Sequence, residues 1–390
     1  MSSSPTDPTR PGPVERLASA GHEQLLVSRG RRTGAHTIVA VHSTALGPAL
    51  GGCRVWRYPD LGAAIDDALR LSAAMTLKAA VAGLPLGGGK AVVRLPDGAG
   101  PEPGVEREAL LRDLADAVNL LGGRYITAED VGTTSADMAF LAGFTDHVVG
   151  RPAAGGGSGD PGEFTAAGVL AAMRACAEAV YGVPDLAGRS VAIVGLGSVG
   201  ADLARRLGAA GAELRLCDVD QAKRALAGEL GAAWIEDPAG AHAAEVDILA
   251  PCALGGLLDA RRVEELRCRI VCGAANNQLD DDARADRLAA RGILYAPDFI
   301  VNAGGLINVA LELTGYDLGL ATRRAADIEG VLGRVLLRAR EAGQTPLAAA
   351  RELAADRLAA PGLRRAGGPG VGLGPDAASS ELYAQSSSTA

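Results

Sequence analysis

Along residues 61–78 apolar positions recur every three to four residues. Leu61, Ile65, Ala68, Leu69, Ser72 and Met75 fall on one face, which predicts an amphipathic helix with Lys78 near its C-terminal end. The flanking patterns are different. HTIVAVHST reads as a strand. GLPLGGG breaks the helix, and KAVVRL reads as a strand starting at Lys90. A second helix is predicted over 105–121, and RYITAED is a strand ending in acids. Beyond a Gly- and Pro-rich linker, RPAAGGGSGDPG at 151–162, the texture becomes regular. The helical stretch FTAAGVLAAMRACAEAVYG is followed by the strands SVAIVG, AELRLCD, DILAPCA, RIVCGAA and GILYAPDFI, alternating with helices. Such alternation predicts a parallel sheet covered by helices.

The fold class expected is α/β, in two domains with a cleft between them, since 390 residues exceed one ordinary core. The boundaries read as a disordered leader over 1–13, a mixed-sheet domain over 14–150 and a dinucleotide-binding Rossmann domain over 151–320. A helical segment over 321–360 packs back on the first domain, and a disordered tail covers 361–390.

Composition narrows the function. Hydrophobic residues make up 48% but aromatics only 3%, so the core is built from Ala, Val, Leu and Ile. The net charge of -8 and the lack of a basic stripe give nucleic-acid binding no support. No apolar run of the roughly 18 residues needed for a membrane span is seen. The first residues lack the apolar core of a secretory signal. The six cysteines are scattered, and only Cys268 and Cys272 are close, with no second pair to complete a metal site. Reduced thiols, a cytoplasmic location and no metal are expected.

The sequence from Ser190 to Asp218 carries specific chemistry. Gly195, Gly197 and Gly200 form G-x-G-x-x-G between a strand and a helix, and Asp218 follows at the end of the next strand. Gly195 permits a tight turn, Gly197 lets backbone approach a pyrophosphate, and Gly200 allows close helix–strand packing. The helix N-terminus at Ser198 and Val199 offers free N–H groups. Asp218 suits a ribose hydroxyl and repels a 2′-phosphate, which favours NAD over NADP.

The chain has three lysines against thirty-five arginines. Two of them, Lys78 and Lys90, lie in MTLKAAVAGLPLGGGKAVV. Genomic base composition accounts for the arginines. The exceptions mark candidate sites for an amine that must lose its proton, which arginine cannot do.

These stretches resemble a known family. LGPALGGCR, MTLKAAVAGLPLGGGKAVV, TAEDVGTT, APCALGG, CGAANNQL and YAPDFIVNAGGLINV are similar to the glutamate, leucine, phenylalanine and valine dehydrogenases, most closely to the leucine and valine branch. The resemblance implies reversible oxidative deamination of an L-amino acid to a 2-oxo acid and ammonia, with NAD, in a homo-oligomer whose first domain binds substrate. It assigns Lys78 to the substrate carboxylate, Lys90 to general acid/base work on water, and Asp130 to proton relay at nitrogen. With Lys78 charged nearby, Lys90 is expected to titrate near working pH. The resemblance also places Asn276, Asn277 and Asn302 near nicotinamide and substrate, and Thr165, Cys252 and Ala253 against the cofactor.

By the same resemblance, Leu50, Gly51, Ala128, Leu306 and Val309 line the side-chain pocket. None is cationic, so a glutamate side chain is disfavoured. Leu, Val and Ile remain. Leu306 is bulkier than the branched-chain pattern and keeps Phe open. GDPGEFTAAG in the linker departs from the family pattern. Two rival readings stand beside this one. An enzyme of the same fold that oxidises a 2-hydroxy acid would usually recruit a His–Asp pair, and no histidine here lies in a matched motif. An NAD-binding sensor would be expected to have lost a lysine or the acid.

Overall fold

The computed structural model describes residues 12–95, 105–253 and 255–360. Most of the expected leader and all of the expected tail lie outside the described residues. Helix α1 (Pro13–Ser19) already begins at the last position assigned to the leader.

The first half is a five-stranded mixed sheet. Its strands are β1 (Gln24–Arg29), β2 (His36–Ser43), β3 (Ala49–Trp56), β4 (Gly87–Arg94) and β5 (Tyr125–Glu129), in the order β1-β2-β4-β3-β5. β2 runs antiparallel to β1 and β4, while β3 runs parallel to β4 and β5. Helix α2 (Leu61–Val81) covers one face through Ala64, Ile65, Ala68 and Leu69. Its start is capped by the Asp60 carboxylate, which accepts from the Ala63 amide. Helices α3 (Val105–Asn119) and α4 (Ser135–Leu141) cover the other face with Leu110, Leu114, Met138 and Leu141.

The GGG run, read with the helix break, is instead the first three residues of β4, which starts before Lys90. The cause is packing. A β-carbon at Gly88 would lie 2.1 Å from the Thr76 amide nitrogen, and one at Gly87 would lie 1.9 Å from the Ser43 carbonyl oxygen. The missing side chains let α2 sit directly on the sheet, which brings Lys78 of α2 and Lys90 of β4 to one site.

The second half begins with α5 (Pro161–Tyr181), where Pro161 occupies the first turn and Asp160 caps. By length and composition α5 could span a membrane, but half of its most apolar window is buried and it forms the central helix of this half. Strands β6 (Ser190–Val194), β7 (Glu213–Cys217), β8 (Ala233–Trp234), β9 (Ile248–Pro251), β10 (Ile270–Val271) and β11 (Leu294–Tyr295) form one parallel sheet, ordered β11-β10-β9-β6-β7-β8. That is a doubly wound order, reversing between β6 and β9. Helices α6 (Ser198–Ala209), α7 (Arg224–Leu230), α8 (Ala260–Glu265) and α9 (Ala283–Ala290) connect these strands.

Two details depart from the sequence reading. β8 carried no recognisable strand pattern. GILYAPDFI is a strand only at Leu294–Tyr295, and beyond Pro297 the chain turns into α10 (Asp298–Val301). Next come α11 (Gly304–Ala310), α12 (Leu318–Ala326), α13 (Ile328–Ala342) and α14 (Pro346–Ala359). α12 and α13 pack on α5, while α14 reaches back to α2. There the Arg357 guanidinium donates to the Ala80 and Val81 carbonyl oxygens at 2.5 and 2.6 Å.

The linker is anchored rather than free. The buried Glu312 carboxylate accepts from the Gly150 amide at 2.9 Å and from the Ser158 amide and hydroxyl at 2.7 and 2.6 Å.

Gly88→Ala is expected to cost more than the ~1–3 kcal/mol of ordinary overpacking, because the clash is with backbone that cannot swing aside. Urea unfolding should show the loss. Wild-type stability in this variant would mean that α2 does not need the close approach.

Candidate active site

Lys90 lies mid-strand on β4, opposite Ala40 of β2. Its Nζ is 2.9 Å from Asp130 Oδ2. Asp130 follows β5, which is two strands away, and β3 lies between. The bridge passes over Gly52, where a β-carbon would stand 2.8 Å from the Asp130 Cβ. Asp130 Oδ2 also accepts from Arg54 Nε at 3.0 Å. Arg54 donates as well to Asp67, which takes a 2.6 Å hydrogen bond from the Tyr58 hydroxyl. Burial alone would raise the Asp130 pKa, but Lys90 and Arg54 outweigh it and bring the carboxyl down to about 2.

Lys78 projects from the last turn of α2 and donates to Asn276 Oδ1 of the second half at 3.1 Å. Burial lowers its pKa to about 8. Asp298 and Asp130 oppose that change, and Lys90 adds to it. Lys78 thus shifts toward neutrality, and no carboxylate is in direct contact with it.

The asparagines form a chain. Asn302 Nδ2 donates to Asn276 Oδ1 at 2.9 Å and to the Ala274 carbonyl oxygen at 3.0 Å. Asn302 Oδ1 is buried without a hydrogen-bond partner. Asn277 has φ 50°, and its neighbour Gln278 donates its amide to Asp298 Oδ2 at 3.1 Å.

Leu50, Ala128, Leu306 and Val309 belong to one apolar cluster drawn from both halves. A β-carbon at Gly150 would touch Val309 Cγ1 at 3.8 Å and the Ala128 Cβ at 3.9 Å, so these two side chains face one point. Gly51 is packed so closely that a β-carbon would strike the Gly89 carbonyl oxygen at 1.8 Å. None of these four side chains carries a charge.

The glycine triplet sits at the switch point. Gly195 has φ 102°, and a β-carbon there would meet the Ala253 amide nitrogen at 2.7 Å. Gly200 lies against the Gly195 carbonyl, with Cys252 Cβ close by, while the space around Gly197 is open. No side chain caps the N-terminus of α6 at Ser198 and Val199. Asp218 accepts from the Leu196 amide at 2.6 Å and the Asp220 amide at 2.9 Å, which aims the carboxylate at the rim of the loop. An open glycine, uncapped helix amides, a rim carboxylate and the unpartnered Asn302 oxygen together fit a dinucleotide whose carboxamide end reaches Asn302. Thr165 donates its hydroxyl to the Pro161 carbonyl and abuts Gly305. Burial pushes the Cys252 thiol up to about 11, so it stays protonated, and all six cysteines are free.

Several functional neighbours escaped the sequence reading. These are Arg54, Asp67, Tyr58 and Asp298. Arg54 reaches Asp130 across 76 residues of chain, and an arginine among thirty-five carries no signal of its own. The departure in the linker also has a consequence. The Asp160 carboxylate takes the Ser198 hydroxyl hydrogen bond at 3.0 Å, beside the uncapped helix start. Nearby Glu129 is raised to about 7 by burial, with Asp160 and Asp137 adding to the rise.

Both halves of the chain are similar to known proteins. The family model described as "Glu/Leu/Phe/Val dehydrogenase, dimerisation domain" matches residues 22–147, and "Glutamate/Leucine/Phenylalanine/Valine dehydrogenase" matches 214–359. Leucine dehydrogenase of Bacillus subtilis is 42% identical over 337 residues, covering 86% of this chain and 91% of that protein. Valine dehydrogenase of Streptomyces albus is 43% identical over 348 residues, covering 88% and 94%. The crystal structure of L-tryptophan dehydrogenase from Nostoc punctiforme superposes with a TM-score of 0.74 at 38% identity, covering 88% of this chain and 98% of that one.

Asp160→Asn keeps the α5 cap and removes a negative charge beside the α6 N-terminus. Dinucleotide binding should tighten about two- to fivefold at low salt, the range such helix-end charges produce, and less at high salt. Fluorescence titration with NADH reads this, and an unchanged Kd at low salt would show that Asp160 does not face the phosphates.

Proposed function

The chain belongs to the glutamate/leucine/phenylalanine/valine dehydrogenase family, and from that premise we propose how its residues carry out NAD-dependent oxidative deamination of a branched-chain L-amino acid. The observation that carries the substrate class is the pocket. Lys78 offers one cation for one carboxylate, while Leu50, Ala128, Leu306 and Val309 offer only apolar surface to the side chain. A second substrate carboxylate would be buried without a partner, at a cost of several kcal/mol.

When bound, NAD accepts the hydride leaving the substrate Cα. The protein's own groups hold the rest. Lys78 fixes the carboxylate and sets the direction in which Cα faces. Asp130, ionised at rest, takes a proton from the substrate ammonium and returns it to the departing nitrogen, while Lys90, acting as the free amine, takes a proton from the water that adds to the imine carbon. The pair at 2.9 Å must open for this, since each group is the other's partner before substrate enters. Arg54 stays behind to hold Asp130 in place. Asn302, with its free buried oxygen, orients the carboxamide of the cofactor. Asp218 holds the adenosine ribose. Thr165, Cys252 and Ala253 pack along the cofactor, and Asn277 stands at the substrate carboxylate.

The chain works as a homo-oligomer through its first half, in keeping with the dimerisation description of the family model matched there. A cytoplasmic setting suits its six free thiols. A larger side chain is a second reading, favoured by the likeness to an L-tryptophan dehydrogenase and by the small Ala128 at the pocket.

A spectrophotometric panel with L-Leu, L-Val, L-Ile, L-Phe, L-Trp and L-Glu, with NAD or NADP, tests the assignment. The aliphatic substrates should lead and differ among themselves by about 10–200-fold or less, the range that methylene-level packing provides. L-Glu should be rejected and NAD preferred. Absence of NADH formation with every amino acid would overturn the function. Lys90→Arg should fold normally and lose about 10²–10⁴ in kcat, the usual contribution of a general base. Normal turnover would remove Lys90 from that role.

A further inference from the structure

We propose that Asp298 is a positioning residue for Lys78: its carboxylate builds the Asn276–Gln278 turn across the cleft and supplies the negative charge that keeps Lys78 an ammonium when the substrate carboxylate arrives. The inference rests on the assignment of Lys78 to that carboxylate.

Three observations converge on it. α10, which begins at Asp298, packs on α2, which carries Lys78, so a first-half lysine and a second-half acid lie on neighbouring elements. Asp298 Oδ2 accepts the Gln278 amide at 3.1 Å, two residues from Asn276, whose Oδ1 receives Lys78 at 3.1 Å. The Asp298 main-chain oxygen accepts the Asn302 amide at 2.9 Å, and Asn302 holds Asn276 from its other side. Asp298 therefore sits beneath both asparagines that reach the cleft.

The charges facing Lys78 come from three elements: Lys90 on β4, Asp130 after β5 and Asp298 on α10. Asp130 is already bonded to Lys90 and Arg54. Burial lowers Lys78 to about 8, and Asp298 is the largest influence opposing it. Burial raises Asp298 in turn, with the Gln278 amide and Lys78 pulling it back. A carboxylate binder must be cationic. Removing the Asp298 charge lowers the Lys78 pKa further, so the alkaline limit of substrate binding moves to lower pH.

The experiment compares wild type with Asp298→Asn, which keeps an oxygen acceptor for Gln278, and Asp298→Glu, which keeps the charge. Two readouts are taken from neutral to alkaline pH. One is kcat/KM for the best amino acid of the panel. The other is the affinity for isocaproate, a branched carboxylate without an amino group, measured by calorimetry. NADH binding and thermal denaturation check the fold of each variant.

In Asp298→Asn the alkaline limb of both profiles should move down by about one pH unit or more, the size of an opposite-charge effect at close range. KM should rise about tenfold on that limb while kcat at saturating substrate changes less. Asp298→Glu should leave the limb near its wild-type position. A limb that stays put in Asp298→Asn, or moves equally in Asp298→Glu, overturns the proposal, as does a wild type that does not bind isocaproate. Failure of wild type to oxidise any amino acid, with isocaproate bound and its limb intact, overturns the enzymatic function instead.

Discussion

Two ammonium groups withdrawn from water beside each other are the constraint on which the site depends. Each would be expensive alone, and together they repel. The fold answers with a carboxylate for each, drawn from opposite halves. Asp130 is in direct contact with Lys90, and Asp298 faces Lys78 from α10. The two arrangements are unequal. Lys90 has a bonded counter-ion, whereas Lys78 has an amide oxygen and a charge held at one remove. That arrangement leaves burial to lower the Lys78 pKa, with the Asp298 charge opposing it. It also suits the proposed division of labour, in which substrate would supply the missing direct partner of Lys78 and compete for the existing partner of Lys90.

Close packing makes these contacts possible. Gly52 lets Asp130 lean over β3, and Gly88 lets the α2 backbone rest on β4. α2 is then held near its C-terminal end from two directions. Asn276 takes Lys78 on the cleft side, and Arg357 takes the Ala80 and Val81 carbonyls from behind. A helix fixed in this way places the ammonium by backbone geometry, and the long lysine side chain keeps little freedom. Such placement matters because a small misplacement of a positioning group is costly to rate.

Much of this was legible in the sequence. The glycine triplet, its flanking strand and helix, and the acid at Asp218 form a local pattern, and local patterns survive in one dimension. The scarcity of lysine singled out Lys78 and Lys90 because composition supplied the contrast. The partners were not legible. Arg54 looks like any other arginine until β3 is laid beside β5, and Asp298 until α10 is packed on α2. The glycine run was misread for a related reason. A glycine in a turn and a glycine in a crowded strand are the same letter, and only the Thr76 backbone pressing on Gly88 distinguishes them. The two-residue strand β8 was missed because so short a pairing carries no periodicity, and β11 was read too long because the run continues past Pro297 into α10.

The electrostatics also bear on why arginine, used almost everywhere else in this chain, is absent at positions 78 and 90. At 90 the argument is chemical, since a guanidinium cannot release the proton that the proposed reaction moves. At 78 a fixed cation would bind a carboxylate, so the chemistry alone does not demand lysine. The packing does. Lys78 is nearly fully buried on a helix pressed against glycine backbone, and its compact head is satisfied by one oxygen of Asn276, which Asn302 shares. A planar fork with five donors would need acceptors that this turn does not provide, leaving buried N–H groups unpaired. Under the proposed roles, lysine at 90 is set by proton transfer and lysine at 78 by the number of acceptors across the cleft. Two residues that look like one signal in the composition answer to different physical requirements.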